Sequence, residues 1–304
     1  MLDVLTGFAI ILIVIAGGYI IGRVNLIGPQ GAGALSKLTF SVFTPCLLVT
    51  VLARADVRTL FSAALATSAL AAIGCAVLFA AISRFTLRRS TSETVIGALS
   101  SSYVNGGYLG LALAVYVLGD AAYSAPIVLL QVLLLAPIAL TVLDIATSGE
   151  ARVGRILLQP VKNPIVIASV IGVLLAVTGV TLPSVLMEPL ELVGAAAVPA
   201  VLIGFGISLH GQRVLAPGSD RRSVLIASLI KVFLMPLAAW LIGSAFALPP
   251  EVLRAVVVMA ALPVAQNVFN YAQQYDASVV VARDSIFITT IGSIPVLLIA
   301  SVVL

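Results

Sequence analysis

Charge is what this sequence lacks most. Of 304 residues only 9% are Asp, Glu, Lys or Arg, whereas 61% are hydrophobic. A soluble domain carries about 25% charged residues, so this chain lacks the polar residues to cover a water-facing surface. The net charge of +4 is read as the basic bias of loops beside a bilayer, and no nucleic-acid partner is expected. Cysteine and histidine are scarce as well, at two and one. Cys46 and Cys75 both fall inside apolar runs, where thiols behave as small apolar side chains. A disulfide framework is thereby excluded, and those thiols with His210 cannot assemble a metal site. One loop-adjacent histidine and no paired acids within an apolar run give no basis for an enzyme. No cofactor is expected, and a coupling ion, proton or sodium, is left open. No basic residue precedes the first apolar run and no small-x-small cleavage site follows it, so that run reads as a retained helix and not a cleaved signal peptide.

What is present is a series of apolar stretches of about twenty residues, the length that crosses roughly 30 Å of hydrocarbon. The first five run over Val4–Gly22, Ala34–Ala53, Leu60–Ile82, Val95–Leu118 and Ala121–Ile145. The second five run over Pro164–Thr178, Val185–Leu209, Val224–Phe246, Val252–Gln273 and Val279–Val303. Short connections hold most of the charge. If the ten stretches are ten spans, alternate loops share a side. Twelve of the 16 Lys and Arg then fall on one side, in the groups Arg23 and Lys37, Arg84 to Arg89, Arg152 to Lys162, Arg213 to Arg222, and Arg283. Only Arg54, Arg58 and Arg254 fall on the other, and Lys231 lies within a stretch. The basic side is expected to be cytoplasmic. That places the chain as a multi-pass protein of a plasma membrane, a bacterial inner membrane, with both termini outside.

Landmarks recur along the chain. Pro45 in the second stretch has Pro199 in the seventh, Asn105 has Asn267, Pro137 has Pro295, and Glu93 has Glu251, at offsets of 154, 162, 158 and 158 residues. Five spans per half is an odd number, so the halves enter the membrane from opposite sides. The expected fold is an all-α polytopic membrane protein of ten transmembrane helices, in two inverted five-helix repeats. The first repeat covers 1–147, a cytoplasmic connecting loop 148–162, and the second repeat 163–304. Inverted repeats of this kind belong to secondary transporters, with the site near the midplane.

Two stretches are poor continuous helices. The fourth contains Ser100-Ser-Ser-Tyr-Val-Asn-Gly-Gly-Tyr108, and glycine costs about 1 kcal/mol relative to alanine in a helix interior. The ninth contains Pro263 three residues before Gln266 and Asn267, and proline removes a donor and clashes with the preceding turn. Backbone breaks at membrane depth line a cavity or are buried in protein. Two readings follow. Either helices four and nine are broken and crossed, with half-helix N-termini offered to an anion and Asn105, Gln266, Asn267 and Asn270 adding neutral amides, or the glycines and amides only pack helices together. The matched positions in both halves favour the first.

Four further polar residues carry a double reading. Lys231 lies well inside the eighth stretch, about nine residues from Arg222 at its nearest end, where a lysine costs about 2.5–3.5 kcal/mol to insert. It either snorkels, or pairs with an internal acid or lends positive field to the anion. Gln131 serves the site or bonds two helices. Asp284 partners Lys231 or takes up a proton, or sits at the interface beside Arg283. Asp56, between Arg54 and Arg58, reads as a loop ion pair.

Thr44-Pro45-Cys46-Leu47-Leu48, Asn105-Gly-Gly-Tyr-Leu-Gly110, Lys231 with Pro236, and Ala261-Leu262-Pro263 through Tyr275 together resemble the auxin efflux carrier family, in matching order over nearly the whole chain. The resemblance implies crossed, broken helices 4 and 9. It implies a scaffold of helices 1, 2, 6 and 7, commonly a homodimer interface, and a moving transport domain of helices 3–5 and 8–10, working by an elevator motion. The residues it assigns to substrate are Asn105, Gly106, Gly107, Tyr108, Pro263, Gln266, Asn267 and Asn270, with Gln131 and Asp56 in a polar pocket beside them. This chain has Ala112 and Val268 where many members have proline, and Gln273 where they have a lysine. The expected activity is secondary transport of a small mono- or dicarboxylate, with the lipid bilayer as the other partner. The alternatives are a sodium-coupled symporter of the bile acid type, which needs several acidic or amide oxygens around the crossing where this chain offers amides but no acid, or a channel, which would want a charged ring or filter loop.

Overall fold

The computed structural model describes residues 2–54, 63–148, 164–210 and 220–303. Its helices are α1 (Leu2–Arg23), α2 (Gly28–Leu38), α3 (Thr44–Leu52), α4 (Ala63–Ala81), α5 (Thr91–Ser102), α6 (Leu111–Tyr116), α7 (Ala125–Leu130) and α8 (Ala136–Ser148). They continue as α9 (Pro164–Thr178), α10 (Ser184–Ala195), α11 (Ala197–Leu209), α12 (Arg221–Leu229), α13 (Met235–Ala245), α14 (Pro250–Ala260), α15 (Gln266–Gln274) and α16 (Val279–Val303). Among the described residues there is no β-strand, and the only strand-like pairing is one antiparallel bridge between Val104 and Val264.

Among the described residues, six uninterrupted stretches are long and apolar enough to cross a membrane: Gly33–Leu52, Ala63–Thr86, Ala121–Thr147, Ser184–Ile207, Arg221–Ala245 and Val279–Ser301. Two shorter apolar helices cover Ala9–Arg23 and Pro164–Thr178. Prolines shape several of them. Of five wide turns of the π type among the described residues, three, Thr39–Phe43, Gln131–Leu135 and Ile230–Leu234, end two residues before Pro45, Pro137 or Pro236; Ile82–Thr86 and Gly106–Gly110 have no such proline. The missing proline N–H and the clash of its ring fall on the carbonyl four residues back, at Ser41, Leu133 and Val232, inside each wide turn. An i to i+5 turn absorbs the misfit. Pro199 acts differently: it sits in the first turn of α11, just after the α10–α11 junction at Ala196.

The chain divides into two compact units. One comprises Met1–Ser62, Gly107–Leu129 and Pro160–Gln212. In it α1 lies against α11 with backbone nearly touching backbone: a Cβ on Gly18 would overlap the Ile203 carbonyl, and one on Gly206 would overlap that of Ile15. Gly172 of α9 and Gly194 of α10 give similar approaches to α3, at Leu52 and Leu47. Gly179, at φ +67°, ends α9 in the left-handed conformation glycine tolerates. An ion pair joins Arg54 to Glu191.

The other unit comprises Ala63–Gly106, Leu130–Gln159 and Arg213–Leu304. Its core is built from Ile96, Leu99 and Tyr103 at the end of α5, Leu140 and Leu143 of α8, Val264, Val268 and Ala272 around α15, and Ala282. The start of α5 carries a reciprocal cap: Ser90 Oγ accepts from the Glu93 N–H and Glu93 Oε2 accepts from the Ser90 N–H. Arg89 bridges Glu93 and Asp220, both at 3.1 Å, and so ties the start of α5 to the start of α12. Partial burial alone would raise the Glu93 carboxyl; the hydrogen bonds from Ser90 and the charge of Arg89 outweigh it and hold the group below the usual glutamate range.

Candidate functional site

The two poor helices are interrupted where their sequences are weakest. α5 ends at Ser102 with Tyr103 extended at φ −87°, ψ 107°. The three serines before it are turned inward: Ser100 donates to the Ile96 carbonyl, and Ser101 and Ser102 to that of Ala98. Such back-bonding competes with the regular ladder and loosens a helix end. α14 ends at Ala260, three residues before Pro263, and α15 resumes at Gln266.

The extended segments, Tyr103–Asn105 and Pro263–Ala265, pair antiparallel across the Val104–Val264 bridge. The Asn105 N–H donates to the Pro263 carbonyl at 2.8 Å, and the Ala265 N–H to the Tyr103 carbonyl at 3.1 Å. Val104 N–H donates to Gln131 Oε1 at 2.6 Å, and Val264 N–H to Thr289 Oγ1 at 3.1 Å. All of these residues belong to the second unit. Lys231, with 0% of its surface exposed, donates from Nζ to the Ala260 carbonyl at 2.7 Å. An ammonium is thereby set on the negative end of the half-helix α14.

The expected residues take distinct stations around this pairing. Asn105 is 3% exposed, and its Oδ1 is buried without a hydrogen-bond partner among the described residues. Gly106 is buried and donates to the Val104 carbonyl; Gly107, half-buried, begins the next run of the first unit. The Tyr108 side chain and all of Asp56 lie outside the described residues. Pro263 is buried, Gln266 and Asn267 are half-buried in the first turn of α15, and Asn270 and Gln273 are exposed. Asn105 and Asn267, paired by sequence, do not occupy matching stations: Asn105 precedes its half-helix, whereas Asn267 lies inside one. Gln131 is buried with its oxygen engaged by Val104. The acceptor found for Lys231 is a main-chain carbonyl, and buried Asp284 makes an ion pair with Arg283 at 2.8 Å.

Three participants were not read from the sequence. Tyr103 belongs to the core against which Tyr271 of α15 packs, so aromatic side chains join the crossing to α15. Thr289 supplies the acceptor for Val264. Tyr275 donates to Asp144 at 2.7 Å, fastening the end of α15 to α8. Tyrosines in apolar runs read as core, and only the fold gives the Tyr275 hydroxyl its partner.

Interrupted helices that meet within a bundle of apolar spans are a device of membrane transporters. Membrane transport proteins, as a family, match this chain over residues 3–152 and again over 150–301. The chain belongs to that family, the auxin efflux carriers, and is a multi-pass membrane transporter. It is 24% identical over 293 residues to the "Uncharacterized transporter YfdV" of Escherichia coli (strain K12), covering 93% of this chain and 91% of that one. It is 25% identical over 288 residues to a Rhizobium meliloti (strain 1021) protein named "Putative malonate transporter", covering 91% and 88%.

Proposed function

We propose that this protein is a secondary transporter that carries a small mono- or dicarboxylate across the membrane by an elevator-type motion, with its cargo site at the crossing. The observation that carries the reading is the hydrogen-bonded pairing of the two interrupted helices over Val104 and Val264. Around it stand features suited to an anion: the opening turn of α15 with Gln266 and Asn267, and the Lys231 ammonium one helix end away. Helix N-termini favour anions through free N–H groups and the dipole. The name of the Rhizobium relative supports a carboxylate.

The ten-helix inverted plan is part of the same proposal. Six long spans, two shorter ones and the two interrupted helices together supply ten. The division into compact units supports the scaffold-and-transport plan: α1 to α3 and α9 to α11 fall in one unit, and α4, α5, α8 and α12 to α16 in the other. Gly107–Leu129 departs from that plan by grouping with the first. We assign the scaffold unit the homodimer contact.

Uptake of radiolabelled malonate into proteoliposomes tests the reading, with succinate and acetate as competitors. Asn105→Ala and Asn267→Ala should abolish uptake while the purified variants elute as the wild type does. Normal uptake by both would remove the crossing as the site. A second reading, cation coupling, is favoured by one observation: Asn105 Oδ1 is a buried acceptor with no donor among the described residues, and an amide oxygen suits sodium or a protonated group. Uptake that requires external sodium would select the symporter; uptake that follows an imposed pH gradient in potassium alone would select a proton.

A further inference from the structure

The crossing accounts for its main-chain donors in full. On one side Tyr103, Asn105 and Gly106 donate to the carbonyls of Leu99, Pro263 and Val104; on the other Ala261, Leu262 and Ala265 donate to those of Val257, Met259 and Tyr103. Pro263 has no N–H. Two donors remain, on Val104 and Val264, and the geometry of the bridge explains why. Its two hydrogen bonds come from the flanking residues, so Val104 and Val264 form the non-hydrogen-bonded pair, whose N–H groups point away from the partner strand. Neither can be met by the crossing itself, and each is met by one side chain: Gln131 Oε1 at 2.6 Å and Thr289 Oγ1 at 3.1 Å. The threonine hydroxyl is committed in the right sense, because it donates to the Ser285 carbonyl at 2.7 Å and so turns a lone pair to Val264.

The two side chains are related in the sequence. Gln131 and Thr289 are 158 residues apart, as Pro137 and Pro295 are, and each lies six residues before its proline. Both are buried, Thr289 completely.

We propose that Gln131 and Thr289 are a matched pair of positioning residues that hold the two crossing strands open by filling their outward N–H groups, so that the strand amides are not ligands for the cargo. The inference rests on the crossing being the cargo site. It moves Gln131 from binding the anion to shaping the place where the anion binds. Without the acceptors each strand would keep a buried, unmet donor, which a site at membrane depth cannot leave to water.

Hydrogen–deuterium exchange on the full-length protein in detergent tests the proposal without any substrate. Thr289→Val should speed exchange about tenfold or more in peptides spanning Val264, by loss of one buried hydrogen bond. Gln131→Met should do the same in peptides spanning Val104. Thr289→Ser, which keeps the oxygen, should exchange as the wild type does. Thr289→Cys, of serine's size but a weak acceptor, should exchange faster than serine, and this comparison decides the matter if the valine variant does not fold. Unchanged exchange in Val and Cys variants, or equal acceleration in Ser, would overturn the proposal. In vesicles, Thr289→Cys should raise the KM for malonate and Thr289→Ser should not. A wild type that does not move malonate would sink the transport reading and leave the exchange result standing.

Discussion

Lys231 is the residue whose environment is most demanding. A lysine at membrane depth costs about 2.5–3.5 kcal/mol to insert, and a hydrogen bond made by a charged donor returns about 1.5–3 kcal/mol. The Ala260 carbonyl is its acceptor in the structure. Lys231→Met should therefore leave the thermal midpoint equal or higher. It should lower malonate uptake by about tenfold or more if the charge serves the cargo, a factor equivalent to about 1.4 kcal/mol. Equal uptake with a raised midpoint would make the lysine a spectator. Its depth was legible in the sequence, since no other basic residue lies so far inside an apolar stretch. Its partner was not, because a carbonyl acceptor at a helix end carries no residue type to search for. The same limit hid Thr289. A threonine in an apolar run is ordinary, and only the bridge, by turning the Val264 N–H outward, gives it a task.

At the scale of elements, the breaks in helices four and nine were readable because glycine and proline act locally. The wide turns were not, although three of them have a proline two residues beyond. One extra residue in a turn rotates everything before it by roughly 100°, and Gln131 and Lys231 both lie in such turns. Pro236→Ala, which restores the missing N–H, should let Ile230–Leu234 close toward a regular helix. Uptake should then fall while the thermal midpoint holds or rises. Close helix contacts set the opposite pattern. Gly206→Ala drives a methyl into the Ile15 carbonyl and should destabilise the protein by about 1–3 kcal/mol, read as a lower thermal midpoint. The cap on α5 adds a pH dependence. A carboxyl held below its unfolded value contributes stability that is complete above about pH 4.5 and is lost as pH falls through the lower, folded value. The midpoint difference between wild type and Glu93→Gln should be present at pH 7 and shrink as pH falls below the ordinary glutamate range of about 4.3.

For the whole molecule, two ion pairs join residues that alternating spans would put on one side: Arg54 with Glu191 of α10 on the charge-poor side, and Arg89 with Asp220 on the basic side. Single cysteines placed in a Cys46→Ser, Cys75→Ala background test the orientation. A cysteine at position 54 should react with an impermeant maleimide in intact cells, and one at position 89 only after permeabilisation. The reverse pattern would invert the termini. Loop charge is the only basis in the sequence for this proposed topology. The assignment of Gly107–Leu129 to the first unit was not readable, because it depends on which neighbours that run finds and not on its own hydropathy.

The Val104–Val264 bridge joins residues 160 positions apart, and this bears on how the protein is made. Segments leave the ribosome in order, so the first half enters the bilayer with the Asn105 N–H and the Tyr103 carbonyl still waiting for Pro263 and Ala265. No water is at hand there to meet them. Biogenesis of the first half therefore ends in an incomplete site, and its completion is a late, long-range event.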